Sequence, residues 1–442
     1  MWAFGGRLKL DDLSSKIEKN INWEGIKKLI RLLFRPINKA VRRRRIKKNA
    51  LRIQKHYEEV IYEIKKSGRT KLRFAAYVIY DSTYGMDGTF KKMLEDEDHW
   101  DPYVVVIPDI ARGNDHAIRT YKKTRNFFAN RYGAERVLDG WNYKNDEYID
   151  HIDEFDLVYY ANPYDALVHK YHQIEYGCTK RVLPIHVSYG YDVGRYTTLY
   201  RMTSPELNYV WKLFTDTTYT YEDYIRFQII KGSNVTLAGY SKMDSFSPNI
   251  KDNRKKKILI APHHTVSMKE LPLSNFLKYS NLILQLPIIY PEIDFVFRPH
   301  PLLFTTLIND CNWTEEQVEK YIVELKGKGV EYSSGGDYLD VFSECDAIIH
   351  DCGSFTVEWL FTGKPGCFVY NEKLKSKHLT TLMNKAIERY DIARSEEDIL
   401  NFIGRISEAP CKEYKMDSWV KENIAINYPN VSEYIIKQID IL

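Results

Sequence analysis

A chain of 442 residues, 44% hydrophobic and 28% charged, is long enough for two domains and too apolar to be a disordered polymer. Its formal charge is +4, but 13 lysines and arginines and no acid fall between Lys27 and Lys55. Removing those 13 from the total leaves −9 for the rest, so the positive charge is local and implies an anionic surface as partner. No apolar run approaches the roughly 20 residues of a membrane-spanning helix. Six cysteines without CxxC or Cys/His zinc spacing read as reduced thiols of a cytoplasmic protein rather than a disulfide scaffold.

The first expected region is a basic amphipathic segment, residues 1–66. Ile26, Leu29, Ile30, Leu33, Ile37 and Val41 recur at helical spacing with lysines and arginines between them. Pro36 predicts a kink or a restart, and Arg42 to Arg45, Lys47 and Lys48 follow. Such a helix, over residues 26–55, suits the inner face of a bacterial membrane carrying anionic lipid, which makes the protein peripheral there. A helix packed on the protein's own acidic surface is the bland alternative. A nucleic-acid partner is not expected, because no aromatics interleave with the basic residues.

From Lys71 the pattern becomes α/β. Strands are predicted at 73–80, 103–107, 157–160, 182–187, 209–214 and 235–238, separated by polar or helical segments, which argues for a doubly wound parallel sheet over residues 67–246. The first strand ends in a loop holding Gly85 and Gly88, placed to approach a ligand. Asp96-Glu97-Asp98 formally matches an acidic metal motif but sits in a solvated acidic run. The stretch 245–254 is polar, carries Pro248 and reads as the linker. A second Rossmann-like domain is predicted over 254–400, with strands at 258–261, 295–298, 330–332, 347–350 and 366–370. Helices at 401–442 close the chain and can cross back to the first domain.

The stretch Gly335–Tyr370 carries the most specific pattern: helix, strand, the polar turn Asp351-Cys352-Gly353-Ser354, helix, Gly363, strand. A turn between a strand's carboxyl end and a helix's amino end offers free N–H groups to a phosphate. Glu358, one turn into the helix, is positioned for a ribose hydroxyl, and Lys364 follows the helix stop as a further nucleotide contact. Four more histidines and an arginine stand at strand ends, where open α/β sheets bind ligands: His186, His263, His264, His300 and Arg298. An imidazole there takes a proton from a hydroxyl or donates to phosphate; the bland reading of each is a satisfied structural residue. His350, beside the turn, ranks lower because a strand-terminal histidine can face the core. No metal-ligand constellation and no cofactor are expected.

Five stretches together resemble the CDP-glycerol glycerophosphotransferases of teichoic-acid synthesis and related capsule polymerases: residues 184–192, 239–244, 258–265, 297–301 (Phe-Arg-Pro-His-Pro) and 337–370. The resemblance covers about residues 71–370. It implies the two-domain GT-B architecture, two Rossmann-like domains facing a cleft, with the nucleotide held mainly by the C-terminal domain. It implies His186 as general base and His300 as a contact of the donor's phosphates. Arg298, Asp351, Cys352, Gly353 and Ser354 would help to hold those phosphates. The implied partners are a CDP-activated or other nucleotide-activated donor and a lipid-linked or polysaccharide acceptor, with CMP released. Ile185 and Val187 flank His186 where that family has Trp and Gly. Gly353 and Glu358 look more like nucleotide-sugar enzymes of the same fold, so a GT-B glycosyltransferase is the second reading. A hydrolysing epimerase and an inactive membrane-associated scaffold are the others.

Overall fold

The computed structural model describes residues 23–247, 255–335, 338–410 and 414–442, with side chains from residue 38 onward. Cys411 and residues 248–254 of the expected linker lie outside the described residues, as do the apolar side chains expected at Ile26, Leu29, Ile30, Leu33 and Ile37. The chain divides into two compact units, residues 1–49 and 50–442.

In the first unit the helix α1 (Trp23–Lys66) begins and runs across Pro36 without a restart. Val41, Arg42, Arg44, Arg45, Lys47 and Lys48 are exposed.

The second unit begins with the rest of α1. Ala50, Ile53, Tyr57, Val60 and Ile64 are buried, and their spacing of three and four puts them on one helix face. Around that face Gln54 donates to the Val210 carbonyl (3.1 Å), Tyr57 to the Tyr209 carbonyl (2.7 Å), and a ring nitrogen of His56 lies 2.9 Å from the Lys180 carbonyl. These contacts fix the basic helix's second half to the domain that follows.

That domain is a seven-stranded sheet of β1 (Leu72–Val78), β2 (Trp100–Val106), β3 (Val137–Asp139), β4 (Leu157–Tyr160), β5 (Leu183–Val187), β6 (Lys212–Thr215) and β7 (Val235–Leu237). Its order is β3-β2-β1-β4-β5-β6-β7 and every pair is parallel. Strands such as Phe74-Ala-Ala-Tyr-Val78 are apolar throughout because helices cover both faces of a parallel sheet. The helix α2 (Asp87–Glu95) follows β1.

The second sheet holds β8 (Lys256–Ala261), β9 (Ile293–Phe297), β10 (Glu331–Tyr332), β11 (Ala347–His350), β12 (Gly366–Val369) and β13 (Asp391–Ala393) in the order β10-β9-β8-β11-β12-β13, again parallel. Alternate residues feed two core layers. Ile258, Ile260, Phe295, Phe297 and Ile349 pack against the helix α3 (Phe276–Ile289). Leu259, Ala261, Val296, Ile348 and Phe368 face the other way, with Phe342 of α4 (Leu339–Glu344) and Trp359. Tyr191, Tyr240, Met243 and Phe246 of the first domain join this second layer, so the two domains share a core.

Two short helices near the carboxyl end, α6 (Ser418–Asn423) and α7 (Val431–Ile439), return to the first domain. The Asp244 carboxylate accepts the N–H groups of Val431 (3.1 Å) and Ser432 (2.7 Å) at the start of α7, where acceptors are needed. Asn427 donates to the Ala238 carbonyl and Trp419 to the Tyr219 hydroxyl. Among the described residues no helix is long and apolar enough to cross a membrane.

Candidate functional site

Both sheets reverse their strand order beside the first strand, between β1 and β4 and between β8 and β11. Such a reversal leaves a crevice at the carboxyl ends of the two strands. In the second sheet the crevice is walled by His263 and His264 after β8 and by Asp351 to Ser354 after β11. The register Ile260↔Phe297 carries His300 alongside, with its backbone N–H on the Pro262 carbonyl at 2.9 Å.

The result is a three-histidine group. Ring centroids are 4.3 Å apart for His263 and His264, 4.9 Å for His263 and His300, and 4.1 Å for His264 and His300. One nitrogen from each ring lies within 4.8 Å of the other two. Burial, and then the neighbouring imidazoles, push His263 well below the usual histidine range; burial lowers His264, and burial followed by His264 lowers His300 to about 3. Asp351 braces this wall. Its carboxylate accepts the backbone N–H of His263 at 2.6 Å and of Asn275 at 2.5 Å. Burial raises its pKa to about 7 against the pull of those N–H groups. Both carboxylate oxygens of Asp351, expected to serve a phosphate, are thus engaged by backbone N–H groups of the wall itself.

Cys352 and Gly353 are buried and Ser354 is half-buried at the start of α5 (Phe355–Glu358). A Cβ on Gly353 would lie 3.1 Å from the Val193 side chain. Val193 belongs to the loop that follows His186. The same loop is tied to the second domain by Thr380, which donates to the Val193 carbonyl from its N–H (3.0 Å) and to the Asp192 carbonyl from its hydroxyl (2.6 Å). The segment after His186 thus reaches the 351–354 turn from the opposite domain.

His186 itself closes β5 and is 3% exposed. Its Nδ1 lies 2.7 Å from the Tyr160 carbonyl oxygen. A carbonyl only accepts, so Nδ1 carries the proton and Nε2 holds the lone pair. Burial, opposed by that hydrogen bond, lowers its pKa to about 4, so the ring is neutral near pH 7.

Arg298 is 9% exposed and donates to the Ser333 hydroxyl (2.6 Å) and the Gly335 carbonyl (2.7 Å). Its guanidinium lies over the Tyr338 ring, 5.8 Å from the centroid, so it borders a separate group of Tyr338, Glu358 and Lys242. There the Tyr338 hydroxyl donates to the Glu358 carboxylate and Lys242 lies 3.9 Å above the Tyr338 ring.

Four of the expected residues have partners within the protein. Glu358, expected at a ribose, is 1% exposed and accepts the Tyr338 hydroxyl. The Lys364 ammonium donates to the carbonyls of Phe342 (2.9 Å), Ser343 (2.8 Å) and Cys345 (2.7 Å). It satisfies the carboxyl end of α4. A Cβ on Gly88 would meet the Ser432 hydroxyl at 2.5 Å, so this glycine lets α7 approach α2. The Gly85 N–H is engaged by the Tyr159 hydroxyl at 3.2 Å.

Residues absent from the sequence reading also stand here. Thr265 sets the His263 ring, with its hydroxyl 2.9 Å from Nδ1. Asp216, buried at the carboxyl end of β6, is raised to about 6 by burial, and Arg201 pairs with Asp192 in the loop after His186. The signal for Asp216 was its position after the strand Lys212–Thr215, obscured by a strand prediction that ended one residue early.

No family model and no curated protein matches this chain. Solved structures do. The wall teichoic acid polymerase TagF is 13% identical, with 91% of this chain and 97% of that chain covered at a TM-score of 0.51. A UDP-N-acetylglucosamine 2-epimerase is 14% identical, with 84% and 95% covered at a TM-score of 0.52. The fold is GT-B. At these identities the likeness carries the fold alone, and within GT-B the second domain's switch point is the crevice at which the three histidines stand.

Proposed function

We propose that this chain is a transferase that moves a polyol phosphate from a CDP-activated donor to a hydroxyl of a cell-surface glycan or lipid-linked acceptor. The observation that carries the reading is the opposite proton placement on two strand-end histidines, one in each domain. His186 holds its proton on Nδ1 against the Tyr160 carbonyl and keeps a lone pair on Nε2. His300 accepts the Leu302 N–H at Nδ1 (3.1 Å) and so carries its proton on Nε2. One is set as a base and the other as a donor, and phosphoryl transfer to a hydroxyl needs one of each. The resemblance in residues 71–370 points the same way, and one structure of this fold is named a wall teichoic acid polymerase.

In this reading the acceptor oxygen attacks the β-phosphorus of the donor. A new P–O ester bond forms, the bond from that phosphorus to the bridging oxygen breaks, and CMP leaves with the electron pair. His186 Nε2 takes the hydroxyl proton. His300 and the N–H groups of the 352–354 turn hold the phosphates, with the Ser354 hydroxyl beside them and Arg298 at the rim. The exposed Arg42, Arg44, Arg45, Lys47 and Lys48 would keep the enzyme on an anionic membrane surface beside its acceptor.

A sugar donor is the second reading, favoured by the Gly353 turn and by a UDP-sugar epimerase sharing the fold. Incubating the protein with CDP-glycerol, CDP-ribitol and UDP-sugars and analysing the product decides. A phosphodiester with CMP released supports the first reading; a glycoside supports the second. Failure to bind any cytidine or uridine nucleotide would leave an inactive scaffold.

A further inference from the structure

The distances within the His263–His264–His300 group would suit a metal ion, but the proton positions do not. A metal takes lone pairs. At His300 the Leu302 N–H points at Nδ1 from 3.1 Å, which fixes the lone pair there and the ring proton on Nε2. At His263, Nδ1 lies 2.9 Å from the Thr265 hydroxyl and 3.4 Å from the Thr265 N–H. A backbone N–H only donates, so the Thr265 N–H fixes the lone pair at Nδ1, the hydroxyl donates beside it, and the ring again carries its proton on Nε2. A cation on either Nε2 would force that proton onto Nδ1, against an N–H or a hydroxyl already committed there. Two of the three rings therefore offer N–H groups, the chemistry of an anion site.

The third ring differs. His264 is half-buried, and its Nδ1 is buried with no hydrogen-bond partner among the described residues. No donor opposes a proton arriving there. The titratable groups around the cluster are His350, whose charge would repel His263, and Asp351, whose carboxylate is engaged by the His263 and Asn275 N–H groups. Among the described residues no carboxylate pairs with the three rings.

We infer that the diphosphate of the donor binds at this cluster and that His264 takes up a proton as it does so, while His263 and His300 serve as neutral N–H donors. The inference rests on the nucleotide-diphosphate reading above and adds to it the residue and the proton. Empty, the site holds His264 neutral by burial. A diphosphate diester brings two negative charges beside the ring and favours its charged form. Binding therefore consumes a proton wherever the solution pH lies between the free and the bound pKa, and affinity rises as the pH falls through that window.

Calorimetry of the full chain with CDP-glycerol and with a UDP-sugar, in buffers of differing ionisation enthalpy between pH 6 and 8, measures the proton directly. The expected result is an uptake rising toward about one proton per ligand at the acid end, with affinity changing by up to about 10-fold per pH unit. In His264→Asn, which strands no hydrogen-bond partner, uptake disappears and the weaker residual binding is independent of pH. Wild-type binding without proton uptake overturns the inference and leaves the donor reading standing. So does uptake that survives in His264→Asn, or stoichiometric Zn²⁺ binding that competes with nucleotide. Inorganic pyrophosphate separates the two ideas: if it binds with a His264-dependent proton while no nucleotide binds, the anion site stands and the donor reading falls. If neither binds, both fall.

Discussion

The Asp351 carboxylate spans the switch point of the second sheet, holding the His263 N–H on one oxygen at 2.6 Å and the Asn275 N–H on the other at 2.5 Å. Asn is nearly isosteric but has an NH₂ where one of those oxygens stands, and so sets a donor against a donor. Asp351→Asn is expected to cost about 1–3 kcal/mol of stability and to loosen the histidine wall, weakening nucleotide binding. Urea unfolding and a nucleotide titration of the variant check both; unchanged values for both would show that the brace does not matter.

His186→Ala removes the proposed base while leaving the 351–354 turn in place. It should lower kcat by about 10²- to 10⁴-fold with a smaller effect on donor affinity. The wild-type pH profile carries a second test. A base works only when deprotonated, and burial lowers the pKa of His186 to about 4. The acid limb of the rate should therefore fall near pH 4, well below the ordinary histidine range, and be flat through neutrality.

Buried neutral histidines also shape stability. His186, His300 and His350 have folded pKa values lowered to about 4, 3 and 3, below the roughly 6.5 of an unfolded histidine. Between those limits the unfolded chain binds more protons than the folded one. The stability these rings contribute is complete above about pH 6.5 and is lost as the pH falls toward 4 and 3. Asp351, raised to about 7, contributes in the opposite sense, losing stability as the pH rises from about 4 to 7. Denaturation midpoints of Asp351→Asn and wild type across pH 4–8 separate the two: the wild-type curve should be the flatter, and the variant's should fall more steeply toward acid.

Lys364→Met separates the two roles open to this lysine. Losing three charge-assisted bonds to the carboxyl end of α4 should cost about 1.5–3 kcal/mol, while nucleotide affinity of the folded protein stays unchanged. A large affinity loss at unchanged thermal midpoint would restore the nucleotide contact.

The boundary within α1 sets the membrane experiment. Residues from Ala50 onward belong to the second unit and Ile46 is buried, so the variant that removes exposed basic charge and keeps every buried side chain changes Arg42, Arg44, Arg45, Lys47 and Lys48 to glutamine. That variant should leave vesicles of anionic lipid, on which the wild type sediments at low salt, and should still use a short soluble acceptor. Equal sedimentation of both forms would remove the basic segment from membrane binding.

The central strands were legible because their burial is written as unbroken apolar runs: β4 and β11 have the predicted bounds. The edge strands β3 and β13 escaped. Each is three residues long and carries an aspartate, Asp139 and Asp391, so neither has an apolar run to read. Within the site, the strand-end position of each histidine follows from local pattern. The convergence of His263, His264 and His300 does not, since it depends on the register of β8 against β9. The partners of Glu358 and Lys364 were hidden for a related reason. Their spacing suits a ligand, but side-chain direction is decided by Tyr338 and by the carbonyls of α4, both supplied by segments upstream in sequence.

The return of α6 and α7 to the first domain means that the polypeptide passes between the two sheets twice, once after β7 and once before α6. Tyr191, Tyr240, Met243 and Phe246 of the first domain are packed in the second domain's core layer as well. Separating the two walls would therefore expose apolar surface to water, so the alignment of a donor on one wall with an acceptor on the other is held by packing and by the chain's return as much as by the side chains that line the site.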